Sequence, residues 1–510
     1  MVCAIPSALH AFLSSPTNVI AAVILLLVLT ALWSVLLPNG FPPGPVAWPF
    51  LGISSALKGD LSKALTDLTE RYGDILSIKV SGRRKVVIND VNMVREALVK
   101  KQNEFAGRPW RYYLGLLSEG GESIFHCSYS PKWMTRRKLL VRAIRNATSG
   151  RKMNDSIGKA ILQLKNSVDD RNEEPFNPRH YFQLTVGGAV ASMCFGRKYG
   201  FDDPEFQEII KTAENVVKGF GQRFSADVFP ILRHVPTKGV CEIKKVISRW
   251  LMLIQSKIDQ RKAKPNEGEV YSVVDDLLKC KKDADSAGED GSSCLTDVHL
   301  RQMLSDVIIA SMDTTVTTLT WLIAYLVNYP DVQIRMREEI DDVIGRESVL
   351  LSSDTGKLPY CRAVILEVLR IRTNVPRGVP HETLDDTCVG GYSIPRGTEI
   401  WTNFWNIHMN PKYWQEPDEF HPERFLDGNG QALPTPNTFI PFSAGRRKCL
   451  GEPVAMHLLI RACVGLLQHF TISTAPEQGK PSLEPVFGDG TTKCRSYEIV
   501  ARRRIDRAIE

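Results

Sequence analysis

Basic residues are missing from the start of this chain of 510 residues: the first Lys or Arg is Lys58. A secretory leader opens with positive charge before a short apolar core, so that reading of the N-terminus is disfavoured, and membrane orientation has no flanking cations to count. Cysteine occurs eleven times, an odd number, scattered and without a CxxC pair. A disulfide framework and a structural zinc site both lose their basis, and a reducing cytosolic setting is expected for the main body. Also lacking is a Pro/Gly/Ser-rich linker, so one large domain with a short appendage is expected in place of two modules. The net charge of +7 is spread along the chain. With no basic block, a nucleic-acid role has nothing to rest on.

What is present is a cysteine in a defined setting. Residues 442–451 read Phe-Ser-Ala-Gly-Arg-Arg-Lys-Cys-Leu-Gly, and Pro453 opens an apolar helical run through Val454, Leu458, Leu459, Ala462, Cys463 and Leu466. Cys449 is therefore expected at a helix N-terminus, where backbone N–H groups and the cations Arg446, Arg447 and Lys448 favour thiolate over thiol. Such a thiolate is a metal ligand or a nucleophile; a buried inert Cys is the plain alternative. A nucleophile needs a nearby His base, whereas an axial haem ligand needs a loop of little bulk, which Gly445 and Gly451 supply.

Phe442, Gly445, Arg447, Cys449 and Gly451 together fill FxxGxRxCxG, which resembles the cysteine-ligand loop of the cytochromes P450. Other matches stand around it in the family's order. Trp133 and Arg137 lie at i and i+4 on a basic helix expected over Lys132–Arg145 and match WxxxR. Ala310-Ser311-Met312-Asp313-Thr314-Thr315 resembles the central-helix motif (A/G)Gx(D/E)T(T/S), with Ser311 where the family has Gly. An acid and an alcohol inside so apolar a helix are costly unless used. Glu367 and Arg370 match ExxR, and Arg424 of Pro422-Glu423-Arg424-Phe425 would complete a buried Glu/Arg/Arg cluster bracing the cysteine loop. The resemblance runs from about Phe41 to Arg503 and is nearest in look to microsomal P450s of the animal branch with drug-oxidising enzymes and steroid 17- and 21-hydroxylases.

That resemblance implies a mainly α P450 prism with small β-sheets, preceded by an N-terminal transmembrane helix. It implies haem b held by the Cys449 thiolate, with Trp133, Arg137, His381, Phe442 and Arg447 as further haem-binding residues and Arg377 as a competitor to His381. Asp313 and Thr314 are the implied proton relay to bound oxygen. The activity implied is hydroxylation of a lipophilic small molecule (steroid, fatty acid, terpenoid or xenobiotic) with O2. No flavin or nucleotide motif is present, so electrons are expected from NADPH-cytochrome P450 reductase, with cytochrome b5 as a second donor. A cytosolic catalytic domain, single-pass in the endoplasmic reticulum membrane, follows from the same likeness. Ser311 would narrow the oxygen groove or add a hydrogen bond, which slightly favours an alternative: a reductase-independent enzyme that isomerises substrates or rearranges peroxides. A non-catalytic thiolate-haem sensor is a third reading.

The chain in order adds further expectations. Val19–Leu37 carries no charge and is long enough to cross a bilayer, giving residues 1–40 as anchor and 41–510 as catalytic domain; a core helix is the alternative. Phe41-Pro42-Pro43-Gly44-Pro45 cannot continue a helix. Residues 60–73 read as a helix and Ile75–Ile88, broken at Ser81-Gly82, as a hairpin. Residues 105–131 read as a long loop, the pocket roof in the family. Phe220, Phe224 and Phe229 are lid or core. Thr296–Asn328 reads as one buried helix ended before Pro330. Asp306, on the same face as Asp313, points at substrate or serves as a cap or solvated group. Lys281–Cys294 is expected as a charged mobile loop, and Gly397–Glu419 as an irregular meander.

Overall fold

The computed structural model describes residues 15–35, 40–46, 61–80, 83–149, 151–220, 225–228, 230–264, 271–286, 295–346, 348, 350–351, 353–488 and 490–504. Its organising element is the helix Asp297–Asn328. The start is fixed by Thr296, whose hydroxyl accepts the N–H of His299 while the His299 ring returns to the N–H of Thr296, a reciprocal cap. Tyr329-Pro330 ends it, since proline cannot extend the hydrogen-bond ladder. By composition this helix could cross a membrane, but its most apolar window is 72% buried inside the protein, so it is a core helix.

Helices Pro178–Phe195, Pro204–Val217, Lys238–Ala263, Pro359–Ile371 and Glu452–Leu467 pack around it. Close approach requires small residues: a Cβ at Gly187 would stand 2.3 Å from Ile210 Cδ1 and 3.2 Å from Met312 Sδ. To one side lies a four-stranded sheet in the order Ile75–Val80, Arg83–Ile88, Glu399–Thr402, His381–Glu382. The first pair is the expected antiparallel hairpin, with Ile75 opposite Ile88. Glu399–Thr402 joins it in parallel, and His381–Glu382 closes the edge antiparallel, with His381 opposite Ile400. Three two-stranded sheets complete the β-structure among the described residues, so the fold is mainly α with small sheets.

The structure corrects several local expectations. The stretch 105–131 contains a short helix, Tyr112–Leu117, whose first N–H is taken by Asp227 at 2.6 Å. Gly397–Glu419 begins with a strand and the helix Phe404–Met409 before any irregular path. Lys281 belongs to the helix Val273–Ser286, tied at 2.5 Å to Asp297 at the start of the central helix. The segment is thus helical as far as Ser286 where composition alone suggested a loop; residues 287–294 lie outside the described ones. Phe224 and Phe229 also lie outside them. Phe220 is half-buried, its ring against Tyr113, Phe125 and His126. The uncharged N-terminal stretch is helical over Pro16–Val35.

Candidate active site

The cysteine loop is held by its backbone. Gly445 has φ +66°, and a Cβ there would lie 1.6 Å from the carbonyl oxygen of Leu98 in the π-turn Glu96–Lys100, so no other residue fits. The N–H of Cys449 donates to the Phe442 carbonyl at 2.9 Å and that of Lys448 to Gly445 at 3.1 Å, closing the loop. Glu452–Leu467 then begins, with Pro453 in its first turn. Cys449 keeps an open face, although protein atoms crowd the rest of its surroundings.

The expectation that neighbouring cations make it a thiolate is corrected. Desolvation by the surrounding protein pushes the Cys449 thiol up, against the N–H groups of Gly451 and Glu452 and the charge of Arg137, which pull it down. The three adjacent cations are occupied elsewhere. Arg447 donates to the carbonyls of Ala106, Ile124 and Cys127; Lys448 pairs with Glu452 at 2.7 Å; Arg446 lies over the Tyr129 ring at 4.6 Å. The expected haem iron, when bound, would supply the positive charge that favours a thiolate here.

Behind the loop the expected bracing cluster is complete. Arg370 grips Glu367 with two bonds of 2.8 Å, both side chains fully buried, and Arg424 and the N–H of His421 reach the same carboxylate at 3.1 and 3.0 Å. Sequence reasoning missed the link that joins this cluster to the loop, His408. Arg370 donates to its carbonyl at 2.7 Å, and its Nε2 accepts the N–H of Ile440 at 3.0 Å. A ring that accepts at Nε2 and is kept neutral by burial, its pKa down to about 3, must carry its proton on Nδ1. Nδ1 therefore donates to Thr373 Oγ1 at 2.6 Å, which donates on to the Arg370 carbonyl. Ile440 in turn accepts the N–H of Ser443 in the cysteine loop at 3.0 Å.

Beside the loop, Arg137 and Arg447 stand over the Trp133 ring at 5.6 and 4.0 Å. Arg108, which sequence reasoning also missed, donates to the carbonyls of Phe125, Val379 and Pro380. Arg137 donates to the Lys448 carbonyl. Among the described residues no carboxylate pairs with any of these three guanidiniums, although burial first and neighbouring positive charge second pull Arg108 and Arg447 below their ordinary pKa. Guanidinium stays charged at any physiological pH, so the cluster is an uncompensated anion site. His126 adds a buried Nε2 with no partner. His381, driven well below the usual His range by burial and by Arg108, donates Nδ1–H to the Phe105 carbonyl at 2.7 Å. Its Nε2 is consequently an acceptor, and the expected donor role requires protonation. The Trp133 indole N–H, too, is engaged, by the Ile124 carbonyl at 2.9 Å. Arg377, the competing candidate, lies over Trp401 at 5.3 Å.

On the central helix, Ala310 is the one residue between 297 and 328 that is exposed, in an element otherwise buried or half-buried. One turn on, the Thr314 hydroxyl donates to the Ala310 carbonyl at 2.8 Å. Asp313 pairs with Arg179 at 2.9 Å and accepts from Thr491 at 3.3 Å. Ser311 turns its hydroxyl back onto the carbonyls of Val307 and Ile308, 2.8 and 3.0 Å away. Asp306 is neither a cap nor aimed at open space: it accepts the N–H groups of Ile124 and Phe125 at 2.7 and 3.2 Å, and burial pushes its pKa up to about 7 in spite of them.

A thiol open to a metal, an anion cradle beside it and an acid–alcohol pair on a buried helix fit a prosthetic group that carries both iron and carboxylates. The sequence pattern of the family described as Cytochrome P450 matches residues 38–494. The chain belongs to that family. It is a P450 monooxygenase acting on lipophilic substrates, and its cofactor is haem with a cysteine thiolate on iron. Similar proteins include the steroid 17-alpha-hydroxylase/17,20 lyase of Gallus gallus, 34% identical over 91% of this chain and 92% of that one. The cytochrome P450 1A1 of Felis catus is 31% identical over 92% and 93% of the two chains. Among solved structures, a zebrafish cytochrome P450 with progesterone matches at TM-score 0.78 and 28% identity, covering 88% of this chain and 100% of that one.

Proposed function

We propose that this P450 hydroxylates a steroid-like lipophilic molecule with O2, with fatty acids, terpenoids and xenobiotics as the other classes to be tried. The juxtaposition that carries the site assignment is the exposed Cys449 beside three guanidiniums that lack a carboxylate partner. The preference for a steroid rests on the activity named for the Gallus gallus relative and the progesterone named with the zebrafish structure. Haem, when bound, supplies iron-centred oxidation of a C–H bond by dioxygen.

Every other role falls to this chain's own side chains. Cys449 would hold the iron, and Phe442 fixes the Cys449 backbone through its carbonyl. Arg108, Arg137 and Arg447 would take the propionates, as guanidinium forks suit carboxylates. Trp133 would join them by exchanging the Ile124 carbonyl for a propionate oxygen, and His381 by protonating, which two nearby carboxylates favour. Thr314 would hold a proton at its hydroxyl, and Asp313, linked to the half-exposed Arg179, would resupply it from solvent. Ser311 has its hydroxyl spent within the helix, which leaves only its bulk beside the groove as a ground for a reductase-independent enzyme.

Electrons would come from NADPH-cytochrome P450 reductase, with cytochrome b5 as a second donor. Exposed Lys132, Lys138 and Arg145 leave a positive surface for an acidic partner, although Arg136 is buried against Glu122 and Arg142 lies 3.6 Å from Asp276. Residues 1–40 would anchor the protein once through the endoplasmic reticulum membrane, with 41–510 as the cytosolic catalytic domain; Ile20, Ile24, Leu25 and Val28 are exposed apolar side chains on the anchor helix. Cys449→Ala tests the centre: the reduced carbon-monoxide spectrum should lose its thiolate-haem band, and an unchanged spectrum would sink the assignment.

A further inference from the structure

We infer that Asn374 is a positioning residue for the acid–alcohol segment of the central helix, an inference that rests on the role given above to Asp313 and Thr314. Asn374 Nδ2 donates to the Thr314 carbonyl at 2.8 Å and to the Thr318 hydroxyl at 2.6 Å. That hydroxyl donates to the same carbonyl at 3.0 Å. Three polar groups thus close a ring across the turn that follows Thr314. A threonine hydroxyl bonded to the carbonyl four residues back tends to bend a helix, and here an amide from outside the helix pulls on the same oxygen.

Asn374 is itself held from behind. Its carbonyl accepts the N–H of Thr492 at 2.9 Å, the Thr492 hydroxyl donates to the Thr373 carbonyl at 2.7 Å, and the indole of Trp321 donates to the Thr492 carbonyl at 3.1 Å. Thr491, the preceding residue of the same strand, touches Asp313. Both members of the pair are therefore referenced to one rigid framework, Asp313 through Thr491 and Thr314 through Asn374. Asn374 Oδ1 is buried with no hydrogen-bond partner among the described residues, a desolvation cost that an apolar side chain would not carry. That penalty is understandable only if the Nδ2 contacts matter. The backbone turn that carries Thr314 is then held by Asn374 as well as by the helix's own bonds.

The test uses the full-length, haem-loaded protein as Asn374→Ala and as Thr318→Val. Hydrogen–deuterium exchange over residues 312–320, measured without turnover, should be roughly fivefold faster in both. In reconstituted turnover, product formed per NADPH consumed should fall at least about twofold. Unchanged exchange in both variants overturns the inference, and so does faster exchange with undiminished product per NADPH. Should Asn374→Ala fail to load haem, the near-isosteric Thr318→Val decides alone. A Thr314→Ala enzyme that stays fully coupled would remove the proton-relay reading and leave the exchange result to judge Asn374, so the two failures are distinguishable.

Discussion

The protein uses a carboxylate–guanidinium pair on each side of its site and treats the two in opposite ways. Behind the cysteine loop, Glu367 and Arg370 are both 0% exposed, bonded twice to each other and saturated by Arg424 and a backbone N–H. On the central helix, Asp313 and Arg179 share a single contact, with 13% and 31% of their side chains open to solvent. A sealed pair cannot rearrange without stranding a buried charge. A pair open to solvent can separate at little cost. The first arrangement suits holding Cys449 in place; the second would suit the proton relay proposed for Asp313.

Breaking the sealed pair should have the largest effect. Arg370→Ala leaves Glu367 buried opposite Arg424 alone and strips a donor from the His408 carbonyl, so about 3–5 kcal/mol of stability should be lost. Urea unfolding of the purified protein measures it, along with the fraction that retains haem. A loss under about 1 kcal/mol, typical of exposed pairs, would erase the contrast between the two sides.

Removing the alcohol on the open side should leave folding intact and affect turnover. Thr314→Ala should lower product per NADPH roughly tenfold while the carbon-monoxide spectrum stays normal, since among the described residues the hydroxyl bonds only to the Ala310 carbonyl. Full coupling in this variant would mean that protons arrive by another path.

The bracing side also carries a pH signature, smaller in any one pH step. His408 is held neutral in the fold, its pKa depressed by burial to about 3, whereas in the unfolded chain it titrates near about 6.5. Its contribution is thus fully present above pH 6.5 and is lost as pH falls towards 3, because the unfolded chain takes up a proton that the folded one refuses. The slope attributable to it is roughly 1.4 kcal/mol per pH unit in that window. Asp306 acts in the opposite direction, its raised pKa adding stability that fades as pH rises through about 7. Only the difference between the parent and a His408→Gln variant, followed by urea unfolding from pH 7 to 5, isolates the histidine. Equal slopes in the two proteins would show that His408 is not the buried neutral link.

How far the site could be read in advance follows from the kind of interaction involved. The central helix was legible almost to the residue, because Thr296 and Pro330 punctuate it and its apolar content admits no other element. Glu367, Arg370 and Arg424 were legible because a local i, i+3 spacing and a short motif carry them. His408, Arg108, Arg179 and Asn374 were not, since each acts on a partner distant in sequence and sits in no pattern that spacing reveals. The basic neighbours of Cys449 misled for the converse reason: adjacency in sequence suggested a field at the sulfur, but Arg447 turns to carbonyls and Lys448 to Glu452. Composition made Lys281–Ser286 look like loop, whereas it continues the helix Val273–Ser286 and pairs with Asp297 through Lys281.

The least effect is expected at the one position where this chain departs from the family's central motif. In sequence, Ser311 looked capable of narrowing the groove beside Asp313 and Thr314 or of offering its own proton. In the structure its hydroxyl donates to Val307 and Ile308 on the preceding turn, so it presents no free donor. Ser311→Gly should cost the helix only about 0.5 kcal/mol through the poorer propensity of glycine. Product per NADPH should stay within roughly twofold of the parent, a margin that corresponds to less than about 0.5 kcal/mol. If coupling instead rises severalfold, the serine side chain obstructs the site by its bulk, and the open side of the comparison would be less open than Asp313 and Arg179 suggest.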